Sequence, residues 1–114
     1  INDPAVADPA LEDNKLDLEG WSREQGEKAA HAEGIVMTEA HWQVVEFLRD
    51  HYLRNGQAAS GRELAEALDA AFESRGGGTY LHSLFPRGPV AQGCRIGGVP
   101  MPPYTEDEHF GSAM

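Results

Sequence analysis

The chain has 114 residues, enough for about one domain. Nine Lys and Arg face nineteen Asp and Glu, a formal net charge of −10, and 40% of the residues are hydrophobic, which supports one small core. A single cysteine excludes an intramolecular disulfide framework or a Cys-rich zinc module, and no apolar run reaches the roughly 20 residues of a membrane helix.

With no basic-then-apolar signal at its start, the sequence predicts a soluble, cytoplasmic protein. Its acidity is concentrated at the ends. Residues 1–20 hold six acids and one base, and residues 104–114 hold Glu106, Asp107 and Glu108 with no Lys or Arg. Residues 76–103 contain Arg87 and Arg95 and no acid, so the only locally positive stretch is rich in glycine and proline. Clustered Lys and Arg that would neutralise phosphates are missing, which disfavours nonspecific DNA binding.

Residues 1–14 mix Pro4, Pro9 and acids without a period, and 1–20 are expected to be a flexible acidic segment. Ser22 and Gln25 form a capping box for a helix over about 23–32, whose apolar face is only alanine and needs a larger surface to dock on. Thr38 opens the clearest helix: Trp42, Val45, Leu48 and Tyr52 recur at spacings of three and four, and Asn55-Gly56 ends it. Ser60 and Glu63 form a second capping box, followed by Leu64, Leu68, Ala71 and Phe72 on one face of a helix running to about Ser74. Gly76-Gly77-Gly78 breaks that helix, and Thr79 is expected to cap a short one carrying Tyr80, Leu81, Leu84 and Phe85. Pro89 suits the first position of a last helix and Gly97-Gly98 its end. Residues 99–103 run Val-Pro-Met-Pro-Pro, which cannot be helical and should project the final residues away from the body. No strand of useful length is visible. The expectation is an all-α bundle of about four or five helices with an extended C-terminal arm.

Cys94 is the reactive side chain of greatest interest. In the first turns of its helix, with Arg87 and Arg95 supplying positive charge, it would be an activated thiol; packed beside Val90, it would be a small buried hydrophobe. The five histidines show no i, i+4 pair, so no metal is expected. Gly76–Gly78 lacks the Lys of a phosphate loop. The helices over 38–54 and 60–74 have the outline of a helix-turn-helix, but Glu63, Glu66, Asp69 and Glu73 on the second would repel phosphate.

Several stretches carry a resemblance: Trp21; Gly34-Ile35-Val36-Met37-Thr38-Glu39-Ala40-His41-Trp42; Phe47-Leu48-Arg49-Asp50-His51-Tyr52; residues 80–89, YLHSLFPRGP; and residues 94–102, CRIGGVPMP. In this order and spacing the chain resembles the DsrC/TusE/RspA family of sulfur-relay and sulfite-reductase-associated proteins, over roughly residues 21–103. The resemblance implies a helical domain over 21–98, sometimes preceded by a small N-terminal hairpin, and a C-terminal arm over 99–114. It implies a carrier rather than an enzyme, without a cofactor, whose arm reaches into a protein partner.

In the family an arm cysteine bears the persulfide, and Cys94 matches the upstream cysteine of two-cysteine members. The C-x10-C spacing from Cys94 lands on Thr105, and a hydroxyl can form neither persulfide nor disulfide. The sequence therefore resembles the cysteine-depleted, RspA-like branch. What this implies is a non-catalytic partner-binding or regulatory module of a sulfur-transfer, sulfite reductase-like or related redox complex, docking through its body and through Val99, Pro100, Met101, Pro102, Pro103 and Tyr104. The alternatives are a single-thiol relay through Cys94, supported by Arg87 and Arg95, and a DNA-binding regulator.

Overall fold

The computed structural model describes residues 9–105. Six α-helices follow one another: α1 Pro9–Asp17, α2 Arg23–Ala32, α3 Glu39–Asn55, α4 Gly61–Ala71, α5 Gly77–Leu84 and α6 Pro89–Gly97, with a 3₁₀ turn, Glu73–Arg75, between α4 and α5. Among the described residues there is no strand, so the fold is all-α, and no helix is long and apolar enough to cross a membrane.

The organising element is α6. Val90, Ala91, Gln92, Gly93, Cys94, Ile96 and Gly97 are all buried, and α2, α3, α4 and α5 pack around it. A helix covered on nearly every side cannot carry large residues all round. Its small positions are where neighbours come closest: a Cβ on Gly93 would lie 2.6 Å from Leu48 Cδ1, and one on Gly97 would lie 3.1 Å from Val45 Cγ1. Helix α3 faces it with Val44, Val45 and Leu48, each exposed by 1% or less.

Helix α2 finds the larger surface that its alanine face requires. Ser22 Oγ accepts from Gln25 N–H and Gln25 Oε1 accepts from Ser22 N–H, closing the expected capping box. Gly26 and Ala30 are buried against α6, and Trp21 Nε1 donates to the Ile96 carbonyl at 2.8 Å. The Trp21 ring meets Trp42 edge-on at 6.3 Å and carries the Arg49 guanidinium 4.2 Å over its centroid.

Four sequence expectations are corrected. Residues 9–17 form α1 where no element was expected; tertiary anchors rather than an apolar stripe hold it, with Asn14 Nδ2 donating to Leu53 O, the Tyr52 hydroxyl to Asp17 Oδ2 at 2.7 Å, and Arg49 Nη2 to Leu18 O. The bundle accordingly has six α-helices rather than four or five. Helix α4 ends at Ala71, where the 3₁₀ turn tightens the chain. Thr79 lies inside α5 instead of capping it, because Gly76 at φ 123° already turns the chain and α5 begins at Gly77. The expected projection of the final residues concerns 106–114, which lie outside the described residues.

Gly98 ends α6 at φ 64°, ψ 33°, and a Cβ there would fall 2.6 Å from Trp21 Cδ1. The left-handed backbone and the overlap with a ring held on several sides both penalise Gly98→Ala. The variant should lose about 2–4 kcal/mol of stability, measured by urea unfolding, with an unchanged helical far-UV spectrum under native conditions.

Candidate functional site: the buried thiol and the docked arm

Cys94 is the sixth residue of α6, past the first turn whose free N–H groups would stabilise a thiolate, and it is 1% exposed within the core cluster. Burial pushes its pKa from 9.0 up to about 12, with Arg95 acting in the opposite direction. The Arg95 guanidinium itself is engaged: its Nε donates to Glu33 Oε2 at 2.9 Å and its Nη2 to Glu33 Oε1 at 2.8 Å. Gln92, also buried, donates from Nε2 to Glu33 Oε1 and accepts the Arg87 N–H on its Oε1, tying the end of α2 to the α5–α6 turn. Arg87 is exposed and lines a groove between α4, α5 and the arm. Of the two arginines grouped with the thiol in sequence, Arg95 therefore acts on it while held by Glu33, and Arg87 faces the groove.

The arm is extended, as its prolines require, and as far as Thr105 it lies on the body. Val99 is buried and its N–H donates to Cys94 O. Pro100 and Met101 are half-buried, Gln57 Nε2 donates to Met101 O at 2.7 Å, and Pro102 is buried. The Gly61 N–H, one of the free donors opening α4, donates to Pro103 O at 2.9 Å. Thr105 sits against Gly61 and donates from Oγ1 to Pro102 O. Between them Tyr104 is the one described non-glycine residue at positive φ, 59°, and its side chain stands 87% exposed.

The residues that seat the arm, Gln57 and Gly61, were not singled out in the sequence; the only signal was a glycine directly after the Ser60 cap. His41 was grouped there with metal candidates and has a packing role instead. Its Nδ1 accepts from the Thr38 N–H at 3.1 Å, and because the Leu84 carbonyl 2.9 Å from Nε2 can only accept, Nε2 carries the proton. Its ring meets Phe85 edge-on at 5.2 Å, so the start of α3 is pinned to the end of α5. Among the described residues no three His, Cys, Asp or Glu side chains converge on a point that could hold a metal ion.

A small helical protein with a cysteine in its last helix and an extended arm on its surface is the class these features define. The family model for DsrC like protein matches residues 11–104, and the chain belongs to this family. The chain is 41% identical over 86 residues to the sulfurtransferase TusE of Sodalis glossinidius, covering 75% of this chain and 80% of that protein. It is 40% identical over 83 residues to the sulfurtransferase TusE of Escherichia coli K12, covering 72% and 76%. Among solved structures, the DsrC of Allochromatium vinosum superposes with a TM-score of 0.64 at 35% identity, covering 75% of this chain and 77% of the other. The oxidised gamma-subunit of the dissimilatory sulfite reductase from Archaeoglobus fulgidus gives 0.59 at 28% identity, covering 89% and 91%. Membership places the chain with non-catalytic sulfur-relay and partner proteins rather than enzymes.

Two outcomes are expected from this geometry. A buried thiol with its pKa pushed up to about 12 is nearly all protonated at pH 8, so a disulfide reagent should modify native Cys94 more than about tenfold more slowly than the denatured chain. Because the folded state keeps a proton that the unfolded thiol releases, stability should fall as pH rises from about 9 towards 12; Tyr52, raised to about 12 by burial and then by Asp17, adds to the fall above pH 10. A rise in stability over that interval, measured by urea unfolding, would contradict both assignments.

A Cβ on Gly61 would fall 2.7 Å from the Thr105 Cα, so Gly61→Ala should lift residues 103–105 off α4 while the core stays folded. Loss of hydrogen-exchange protection at the Gly61 amide alone, with Val45 and Ile96 still protected, is the expected result.

Proposed function

We infer that this chain is an RspA-like, partner-binding or regulatory member of its family, acting in the cytoplasm on a sulfur-transfer, sulfite reductase-like or related redox complex. It docks through its helical body and through Val99, Pro100, Met101, Pro102, Pro103 and Tyr104. The observation that carries this reading is the chemistry at two positions. Counted by the family's C-x10-C spacing from Cys94, the arm position falls on Thr105, which cannot bear sulfane sulfur, and the chain's one thiol is buried with its pKa raised. The sulfur-relay names of the relatives then apply to the surface the chain shares with them, not to sulfur carriage by its own arm.

Tyr104 suits the role of an anchor. It presents a large ring to solvent, and its left-handed backbone is held by the Pro103 and Thr105 contacts on either side. A tyrosine of this kind contributes to binding out of proportion to its number of contacts. Pro102 and Pro103 limit the entropy lost when the arm is captured.

The test is affinity capture from the source cells with the full chain, analysed by mass spectrometry, together with a Tyr104→Ala variant. The expected result is co-purification of subunits of a sulfur-transfer or sulfite-reducing complex, reduced about tenfold by the variant, in line with a hot-spot aromatic. Capture of no redox or sulfur-transfer subunit would overturn the reading. So would a persulfide on Cys94 after incubating the native chain with a persulfide donor, which would move the function to a single-thiol relay.

A further inference from the structure

We propose that the outward face of α2, together with residues 35–37, is the surface through which two copies of this chain associate about a two-fold axis. Gly26 and Ala30 bury the inner side of α2, and the opposite stripe carries Glu24, Glu27, Lys28 and His31 at positions i, i+3, i+4 and i+7, all exposed. With residues 35–37, which join α2 to α3 outside any helix, this stripe lines a shallow cleft of about 420 Å³. Val36, one of the lining residues, is 81% exposed. Among the described residues no hydrogen bond engages the backbone of Val36 or Met37, and no ion pair holds any of the four side chains on the stripe.

The order of the charges selects a second copy as the occupant. Along the stripe the acids come first and the bases second, and both the 27/28 pair and the 24/31 pair are centred on the point between Glu27 and Lys28. A two-fold axis through that point reverses the stripe against itself, so Glu27 of each copy faces Lys28 of the other and Glu24 faces His31, each contact occurring twice. A parallel arrangement would set acid on acid, which is repelled. The same axis brings Val36 into the cleft of the second copy, where it loses water, and lets the free backbone groups of residues 36 and 37 bond across the axis. The net charge of −10 does not oppose this contact, because residues 23–37 hold three acids against Arg23, Lys28 and His31. A face of one helix and a short connection is small beside a permanent dimer interface, so the dissociation constant should lie between about 10 μM and 1 mM. The inference goes beyond the partner-binding reading and does not rest on it.

The experiment is sedimentation equilibrium on the full chain up to about 2 mM in roughly 0.15 M NaCl, where a screening length of about 8 Å mutes repulsion between the acidic ends but not pairs in contact. Amide chemical shifts of the ¹⁵N-labelled chain are followed over the same concentrations. A monomer–dimer equilibrium is expected, with the Val36 and Met37 amides moving as it shifts. Val36→Asp and Lys28→Glu should each raise the dissociation constant about tenfold or more, and the exchange of both charges, Glu27→Lys with Lys28→Glu, should restore it to within about threefold, because the exchanged pair still matches across the axis. All three positions are exposed, and unchanged Val45 and Ile96 signals check that the variants keep their core. A chain that stays monomeric throughout would overturn the proposal and leave this face to a different protein. So would a dimer indifferent to Val36→Asp, or a charge exchange that fails to restore association. Concentration-dependent shifts in residues 99–105 in place of 36 and 37 would also overturn it, assigning association to exchange of the arm. No other protein enters the measurement, so its failure leaves the capture experiment standing, and the reverse holds as well.

Discussion

Burial of α6 on nearly every side is the constraint from which the other features follow. A nine-residue helix surrounded by four others has little room for side chains, and its composition, Pro-Val-Ala-Gln-Gly-Cys-Arg-Ile-Gly, is close to the smallest set that still fills a core. Its one long polar side chain without a charge, Gln92, is placed where both of its amide groups find partners, as a buried amide must. Its one charge, Arg95, leaves the core towards Glu33. Gly93 and Gly97 admit Leu48 and Val45 of α3, and Gly26 on α2 returns the favour by admitting the Ile96 carbonyl at a distance that a Cβ would crowd to 3.1 Å. The thiol is buried for the same reason: a cysteine on this helix is a small core residue before it is a reagent.

Much of this architecture was legible in the sequence because it rests on local rules. The Ser22 cap, the apolar stripe of α3, Pro89 at the start of α6 and Gly98 at its end are each decided by a few adjacent residues and are found as read, whereas at α4 Ser60 accepts from the Glu63 N–H but the Glu63 carboxylate meets the Ala59 N–H, leaving the second box half closed. The misreadings share a cause, which is contact over long sequence separations. Helix α1 has no apolar period to announce it; its anchors, Tyr52 to Asp17 and Arg49 to the Leu18 carbonyl, come from a helix more than thirty residues later. The fate of Cys94 was open for the same reason. Nothing in Gln-Gly-Cys-Arg-Ile says whether the thiol faces water, and the answer is supplied by α2 and α3 closing over it.

The candidate site was less legible than the fold. The arm could be read as extended from its prolines, but the surface that receives it could not, since the contacts to Gln57 and Gly61 join positions about forty residues apart. Gly61 illustrates the economy of the arrangement. As the first residue of α4 it has an N–H with no partner inside the helix, and the Pro103 carbonyl, which no proline ring can shield with a donor of its own, satisfies it. The absence of a side chain then lets Thr105 settle directly on the helix end. One glycine thus serves both the start of a helix and the seat of the arm.

The same contacts set how freely the arm can move. Val99 and Pro102 are buried, whereas beyond Pro102 the arm is held chiefly by the bond from the Gly61 N–H to Pro103 O and by Thr105 resting on Gly61, with Pro103 and Tyr104 exposed. A hydrogen bond of this kind contributes about 0.5–1.5 kcal/mol, so freeing residues 103–105 costs on the order of 1 kcal/mol. At that cost roughly one molecule in six or seven has the outer arm released at any moment, with the core untouched. A ligand that binds the released form meets only a small conformational penalty. The outer arm is thus seated firmly enough to be ordered and lightly enough to be released.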